Sequence, residues 1–241
     1  MLVEQHRTIA YTDVKPDFTI QLRALLRLLQ EAAVAHSEQV GLGSRELLDA
    51  GTVWVLHKMA LTFQRLPRYR EAVRVVTWHR GSRGFRAYRD FEVFAGVERV
   101  AAATSLWLYL DMGARRLQRI PPELSRAYTE EAREAGCGDL DHWKPDAAVE
   151  TAFEVAFTAR SSDFDPLGHV NNTVYFDMLE TAVERAWGPE AALRRLRIHF
   201  QKEIGREVQG VRVGLARRDG GGIFRIHDGP TTFAAGDLSL G

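Results

Sequence analysis

The sequence predicts an α+β chain made of one unit used twice. Patterned segments run strand, long helix, several strands, and then, after an unpatterned stretch, begin the same order again. The polar turns before the two helices match without a gap at a spacing of 150 residues: Asp13 with Asp163, Pro16 with Pro166, Leu29 with Leu179, Ala32 with Ala182. Further on, Phe63-Gln64-Arg65 matches Phe200-Gln201-Lys202 at a spacing of 137, the connection from helix to strand being shorter in the second copy.

In chain order, residues 5–12 read as a strand and Asp13 to Asp17 as a proline-containing turn. A helix is expected from Thr19 to about Gln39. Leu22, Leu25, Leu26, Leu29, Ala32 and Ala33 form its apolar stripe, with Thr19 as N-cap and Gly41 and Gly43 at the exit. A short helical piece follows at Ser44–Ala50. Strands are expected at Val53–Phe63, Ala72–His79, Arg86–Phe94 and Val100–Leu110, rich in Val, Phe, Trp and Tyr and parted by turn residues. Periodicity then lapses over 121–148. It returns with a strand at Thr151–Thr158, a helix from Thr173 to about Trp187, and strands at Leu193–Phe200, Val208–Ala216 and Ile223–His227. The expected division is an N-terminal unit over 1–125, a linker over 126–148, a C-terminal unit over 149–228 and a poorly ordered tail over 229–241.

Composition narrows the function classes. The 241 residues carry 32 Lys and Arg against 32 Asp and Glu, so no global charge points to nucleic acid or to a membrane surface. A single cysteine, Cys137, excludes an internal disulfide framework and fits a reducing cytoplasm. Glu4, His6 and Arg7 interrupt the start, so no signal peptide is expected there, and no run approaches the ~18 apolar residues of a membrane span. The eight His lie neither in a His-x-x-x-His pair nor beside a cysteine cluster, and Gly220–Gly222 is a hairpin turn, not a phosphate loop. No metal or cofactor is therefore expected.

The chemistry concentrates in Asp163–Glu180, a polar elbow running into a helix. It sets Asp165 and His169 beside a helix N-terminus, where unpaired N–H groups favour developing negative charge, as a hydrolase needs. Comparison of the two copies sharpens this reading. Opposite Asp165 stands Lys15, opposite His169 stands Thr19, and opposite Glu203 stands Leu66, so only the second copy carries an acid–His–acid set. Asp163, shared with Asp13, is read as structural. Asn171 and Asn172 suit either helix capping or holding a substrate carbonyl, and Glu180 suits a buried hydrogen-bond partner. A run of arginines from Arg65 to Arg89, balanced in that span only by Glu71, marks either solvated strand ends or a basic face; Arg65, Arg68, Arg83 and Arg86 are its candidate contacts for an acidic partner.

At these residues the sequence resembles the acyl-acyl-carrier-protein thioesterases, whose chains are two fused hotdog units. The resemblance covers about residues 3–228. It shows in Leu25–Ala33, in Thr52-Val-Trp-Val-Leu56, in Thr104-Ser-Leu-Trp107, and in Asp165…His169-Val-Asn-Asn172…Tyr175…Glu180. It implies a fold of two tandem hotdog units, each a long helix wrapped by a curved antiparallel sheet, with a fatty acyl chain buried between helix and sheet. It also implies hydrolysis of a thioester to acyl carrier protein, with fatty acid released. Of the family's Asp, Asn, His and Glu set, three map here, as Asp165, His169 and Glu203; the Asn position is Leu167.

The shorter pattern Asp-x-x-Gly-His-Val-Asn-Asn is also similar to single-hotdog acyl-coenzyme A thioesterases, in which the Asp alone acts. The expected chemistry leaves the leading carboxylate open. Glu203 or Asp165 deprotonates a water, or Asp165 attacks the carbonyl to give an anhydride, while N–H groups around Asn171, Asn172 and Thr173 hold the oxyanion. The arginine face would receive the carrier protein. The alternatives are an acyl-coenzyme A thioesterase, a non-catalytic acyl binder or sensor, and a dehydratase of the same fold. Monomer and homodimer both remain open.

Overall fold

A computed structural model of the chain describes residues 1–146 and 151–241. It is α+β, with antiparallel sheet and few helices, and divides into two compact units. One comprises residues 1–20 and 27–140, the other 21–26 and 141–241.

The first unit contains β1 (Leu2–Thr8), most of α1 (Leu22–Gln39), α2 (Ser44–Asp49), β2 (Thr52–Phe63), β3 (Ala72–Arg83), β4 (Arg86–Ala95), β5 (Glu98–Asp111), β6 (Arg116–Leu117) and α3 (Pro122–Ala127). Its strands hydrogen-bond in the order β1-β3-β4-β5-β2, all antiparallel, with β6 paired to β5. The predicted stripe of α1 is buried throughout, Leu22 and Leu25 completely. Each such leucine contributes roughly 1.5–3 kcal/mol by leaving water. The helix begins three residues after Thr19, whose N–H and hydroxyl bond instead to Asp17 Oδ1 at 2.9 and 2.7 Å.

The second unit contains β7 (Phe153–Phe157), α4 (Asn172–Trp187), β8 (Leu193–Phe200), β9 (Val211–Arg218), β10 (Gly221–His227) and β11 (Thr232–Leu240), ordered β7-β9-β10-β11-β8. Helix α4 packs on β7 and β9. Its Glu180, 9% exposed, accepts the Leu22 N–H at 2.9 Å and so caps the first turn of α1, which is counted with this unit. Glu180 is thus the buried hydrogen-bond partner expected of it.

The internal repeat is visible hydrogen bond by hydrogen bond. Asp13 and Asp163 each accept the N–H three residues before them, from Ala10 at 3.2 Å and from Arg160 at 2.9 Å. Lys15 N–H to Thr19 O (2.8 Å) recurs as Asp165 N–H to His169 O (2.9 Å), and Phe18 and Gly168 both take positive φ, 61° and 80°. Helices α1 and α4 begin at Leu22 and Asn172, the same spacing of 150. Ile20 N–H to Pro67 O recurs as Val170 N–H to Ile204 O, at the spacing of 137 on the acceptor side.

Two expectations are corrected. The tail from Gly229 is not poorly ordered: β11 lies between β10 and β8, with Phe233, Ala234, Ala235 and Leu238 buried. It holds the place that β5 holds in the first unit. Gly236 permits the close packing there, since a Cβ at that position would lie 1.9 Å from Arg197 O. The segment read as a linker is largely built onto the first unit. Trp78 Nε1 donates to Arg133 O (2.8 Å), Ala135 N–H to Asp90 Oδ2 (2.8 Å) and Lys58 Nζ to Leu140 O (2.7 Å), and Cys137 is buried. The expected boundary at 148/149 lies outside the described residues.

The first unit also buries a polar cluster. Arg89 on β4 donates through Nη1 to His36 Nδ1 on α1 (2.8 Å) and to Thr77 Oγ1 on β3 (3.3 Å). Tyr128 packs beside both His36 and His79 and donates to Ser37 Oγ at 2.8 Å.

Candidate active site

Asp163 anchors the second elbow. It is 3% exposed, and its oxygens take the Arg160 N–H (2.9 Å) and guanidinium and meet Arg23 Nη1 at 3.0 Å. Burial alone would raise its carboxyl. The hydrogen bonds and charges of Arg160, joined by the Arg23 charge, outweigh that and hold it below the usual carboxylate range. Its carbonyl accepts the Asn171 N–H at 2.8 Å, which fixes where α4 starts. Asp163 is structural, as read from the sequence.

Asp165 is half-buried. Its Oδ1 accepts the Leu167 N–H at 2.9 Å, closing an Asx-turn, while Oδ2 accepts no hydrogen bond among the described residues. His169 closes the same loop through its carbonyl, and its Nε2 lies 3.9 Å from Glu203 Oε1. That separation is an electrostatic contact, longer than a hydrogen bond. Glu203 follows β8 and is tied to the elbow by Val170 N–H to Ile204 O at 2.9 Å. It also lines a cleft of about 630 Å³ whose walls include Phe157, Lys202, Glu207, Arg212 and Phe233. Ligand sites commonly have about this volume.

The helix end sorts the three oxyanion candidates. Asn171 is the N-cap, its Oδ1 accepting the Thr173 N–H (2.9 Å) and hydroxyl (2.7 Å). Thr173, buried, therefore spends its own N–H on the cap and does not present it to a substrate. Asn172 is half-buried, and its side-chain amide has no partner among the described residues. A further donor is exposed by comparing the elbows. Leu167 stands where Asp17 stands in the first copy and offers no acceptor, so the His169 main-chain N–H is without one among the described residues.

Tyr175 was not singled out by chemistry in the sequence. It is 2% exposed, one turn into α4, with its ring edge-on to Phe200 at 5.2 Å. Burial raises its phenol, and the charges of Glu203 and Asp165 raise it further, against the Ile204 main chain, which lowers it. The hydroxyl thus stays protonated near both candidate carboxylates. The first copy has Leu25 at the matching position, the signal that could have found it.

The arginines expected to form one face do not. Arg65 is clasped by Glu71 through two bonds (2.7 and 2.9 Å) and by Glu98 (2.9 Å), and Arg68 gives its N–H to Glu71. Arg83 and Arg86 pair across the β3–β4 hairpin. The 12 residues of β3 run between the two pairs, roughly 35 Å at the usual rise per residue.

The family models for the acyl-ACP thioesterase N-terminal and C-terminal domains match residues 2–128 and 146–213. The chain belongs to the acyl-ACP thioesterase family. It is 26% identical over 215 residues to a chloroplastic acyl-[acyl-carrier-protein] hydrolase of Cuphea viscosissima, covering 84% of this chain and 52% of the relative. It is 26% identical over 253 residues to a chloroplastic palmitoyl-acyl carrier protein thioesterase of Cuphea hookeriana, covering 95% and 60%. The chain spans about half the length of the curated relatives it matches. Among solved structures it resembles a Lactobacillus plantarum protein designated an oleoyl thioesterase and a 12:0-ACP thioesterase from Umbellularia californica. Both have a TM-score of 0.86 over 100% of this chain and 97% of theirs, at 22% and 21% identity. The likeness establishes a hotdog-type α+β fold. Among the described residues of this acyl-ACP thioesterase family member, no helix is long and apolar enough to cross a membrane.

Proposed function

We propose that the chain hydrolyses fatty acyl-acyl carrier protein to free fatty acid and holo-carrier protein, working as two tandem hotdog units of which the second is catalytic. Membership of the family supports the reaction. The single observation that supports the site is the Glu203–His169 contact at 3.9 Å beside the Asp165 turn, at a helix N-terminus, in the unit whose counterpart lacks all three groups. The buried free thiol of Cys137 fits a reducing compartment such as the cytosol.

Glu203, which opens on the cleft, takes the role of general base toward water. His169 steadies that carboxylate and receives charge as the proton moves. The Asn172 amide and the His169 main-chain N–H hold the oxyanion of the tetrahedral intermediate, at about 3 kcal/mol per donor in comparable sites. Water adds to the thioester carbonyl, the C–S bond breaks, and the carrier thiol leaves with the proton. Asp165 commits one oxygen to the elbow and sets the field at the helix end with the other.

The test is thiol release from matched acyl-carrier-protein and acyl-coenzyme A panels by the parent, Glu203→Gln and Asp165→Asn. Expected are faster turnover on the carrier-protein set and a fall of about 10²-fold or more in kcat for Glu203→Gln. Turnover of coenzyme A thioesters alone would reassign the donor. A folded parent that turns over no thioester would end the proposal, and full activity in Glu203→Gln would end the assignment of the base.

A further inference from the structure

The arginine pair left at the β3–β4 hairpin, Arg83 and Arg86, acquires neighbours that are distant in sequence. Ile120 N–H bonds to Gly84 O at 2.8 Å and Tyr109 N–H to Phe85 O at 2.9 Å, laying the β5–β6 turn and the stretch after it alongside the hairpin. That brings Arg115, Arg116 and Arg119 to the same end of the sheet. All three are exposed, as is Arg83, while Arg86 is half-buried. Arg83, Arg116 and Arg119 make no ion pair among the described residues. Four acids stand near this end. Asp111, opposite Arg116, spends Oδ1 on the Ala114 N–H (2.9 Å); Glu123 opens α3; Asp49 ends α2, close to Gly51, whose carbonyl accepts the Met112 N–H; and the Glu130 carboxylate lies beside Gly81, two residues before Arg83.

Two further features fit contact with a protein. Met112 and Leu117 stand 44% and 46% exposed among these arginines, apolar groups ringed by charge. Arg115 sits at the turn with φ 49°, a conformation that costs a non-glycine residue roughly 1 kcal/mol and that Gly or Asn would adopt more easily. Beneath the patch, Leu47, Ala87, Tyr109, Ile120 and Leu124 form a packed cluster, so the surface is held by a rigid base.

We infer that this end of the first unit, carrying Arg83, Arg86, Arg115, Arg116 and Arg119, docks the acidic surface of the carrier protein. The inference rests on the acyl-carrier-protein reading and replaces Arg65, whose guanidinium Glu71 and Glu98 neutralise, and Arg68, which lies at the far end of β3. A predominantly basic patch steers an acidic partner and gives its association a strong salt dependence, whereas a small thioester gains less from it.

The experiment has two readouts. Fluorescence anisotropy of labelled holo-carrier protein measures binding without turnover, and steady-state hydrolysis compares acyl-carrier protein with acyl-coenzyme A of the same chain. For Arg115→Glu/Arg116→Glu/Arg119→Glu, Kd for the carrier protein should rise by about tenfold or more. KM for its acyl form should rise about tenfold more than KM for the coenzyme A thioester, and the salt dependence of binding should flatten. Arg83→Glu, on the other hairpin, should act in the same direction and stands in if the triple variant does not fold. Unchanged Kd in a folded variant, or equal KM changes on both donors, would overturn the inference. Binding that weakens as expected in the variant, beside a parent that turns over no thioester, would instead sink the proposed reaction and leave the docking surface standing.

Discussion

Lowering the pH from 8 to 5 tests how the first unit tolerates its buried histidines. His36 is fully buried and His79 is 3% exposed. Burial first, and then the Arg89 charge and that of the chain's N-terminal ammonium, depress their pKa values from 6.5 to about 3 and about 4. The geometry gives the reason: Arg89 donates to His36 Nδ1, so the imidazole must stay neutral with its remaining proton on Nε2, where it has no acceptor among the described residues. His79 Nε2 meets Ser82 Oγ at 3.1 Å, and Tyr128 lies against both rings. Because the folded pKa values lie below the unfolded one, the unfolded chain binds more protons between them. Stability is therefore full above about pH 6.5 and falls as pH drops. At pH 5 the loss is about 2 kcal/mol for each histidine, about 4 kcal/mol together. Asp90, whose carboxyl burial raises, works with the opposite sign once pH approaches its folded value. Urea unfolding at pH 8, 6.5 and 5 reads this directly, with a constant m-value confirming that the same surface is exposed. His79→Gln should remove about half of the slope. A parent whose midpoint is flat between pH 7 and 5, or a variant that keeps the whole slope, would refute the reasoning.

Deleting residues 229–241 removes a strand paired on both sides and four buried apolar side chains, so the second unit should lose its cooperative unfolding transition. Gly236→Ala should cost about 2 kcal/mol through the clash with Arg197 O, and a truncated chain melting with the parent would show β11 to be dispensable. Glu180→Leu leaves the buried Leu22 N–H without this acceptor and should cost about 1–3 kcal/mol, with Glu180→Gln recovering much of it. Equal stability of the Leu variant and the parent would discount the cap.

Local order was legible where hydrophobic period and turn chemistry agree. The stripe of α1, the strand Leu193–Phe200 and the matching elbows needed no tertiary information. Strand β11 was missed because Phe233-Ala-Ala-Gly-Asp237 is mostly small and polar, and its strand character comes from neighbours on both sides. The repeat held the clue, since a second copy ending at β10 would lack a counterpart of β5. The four arginines do not form one face because closeness in sequence is not closeness in space along a 12-residue strand, whereas Ile120 bonds to Gly84 and sets Arg119 near Arg83 by a pairing that no local pattern announces. At the proposed site, the asymmetry of the copies pointed to Glu203 and His169, which the fold brings to 3.9 Å from one another. Tyr175 was not legible, because a Tyr on an apolar stripe looks like any core residue until its surroundings are known.

The Glu180 cap has a consequence for taking the chain apart. Residues 21–26 are counted with the second unit, where Leu22 meets Glu180 and Arg23 meets Asp163. A gene cut anywhere between the copies would leave those six residues on the wrong fragment. The second half expressed alone would lack one partner of each of two buried carboxylates, Leu22 for Glu180 and Arg23 for Asp163, so shuffling halves between family members should succeed best when residues 21–26 travel with the C-terminal partner. What looks in sequence like two interchangeable cassettes is, for recombination, divided where no single cut between the copies can follow.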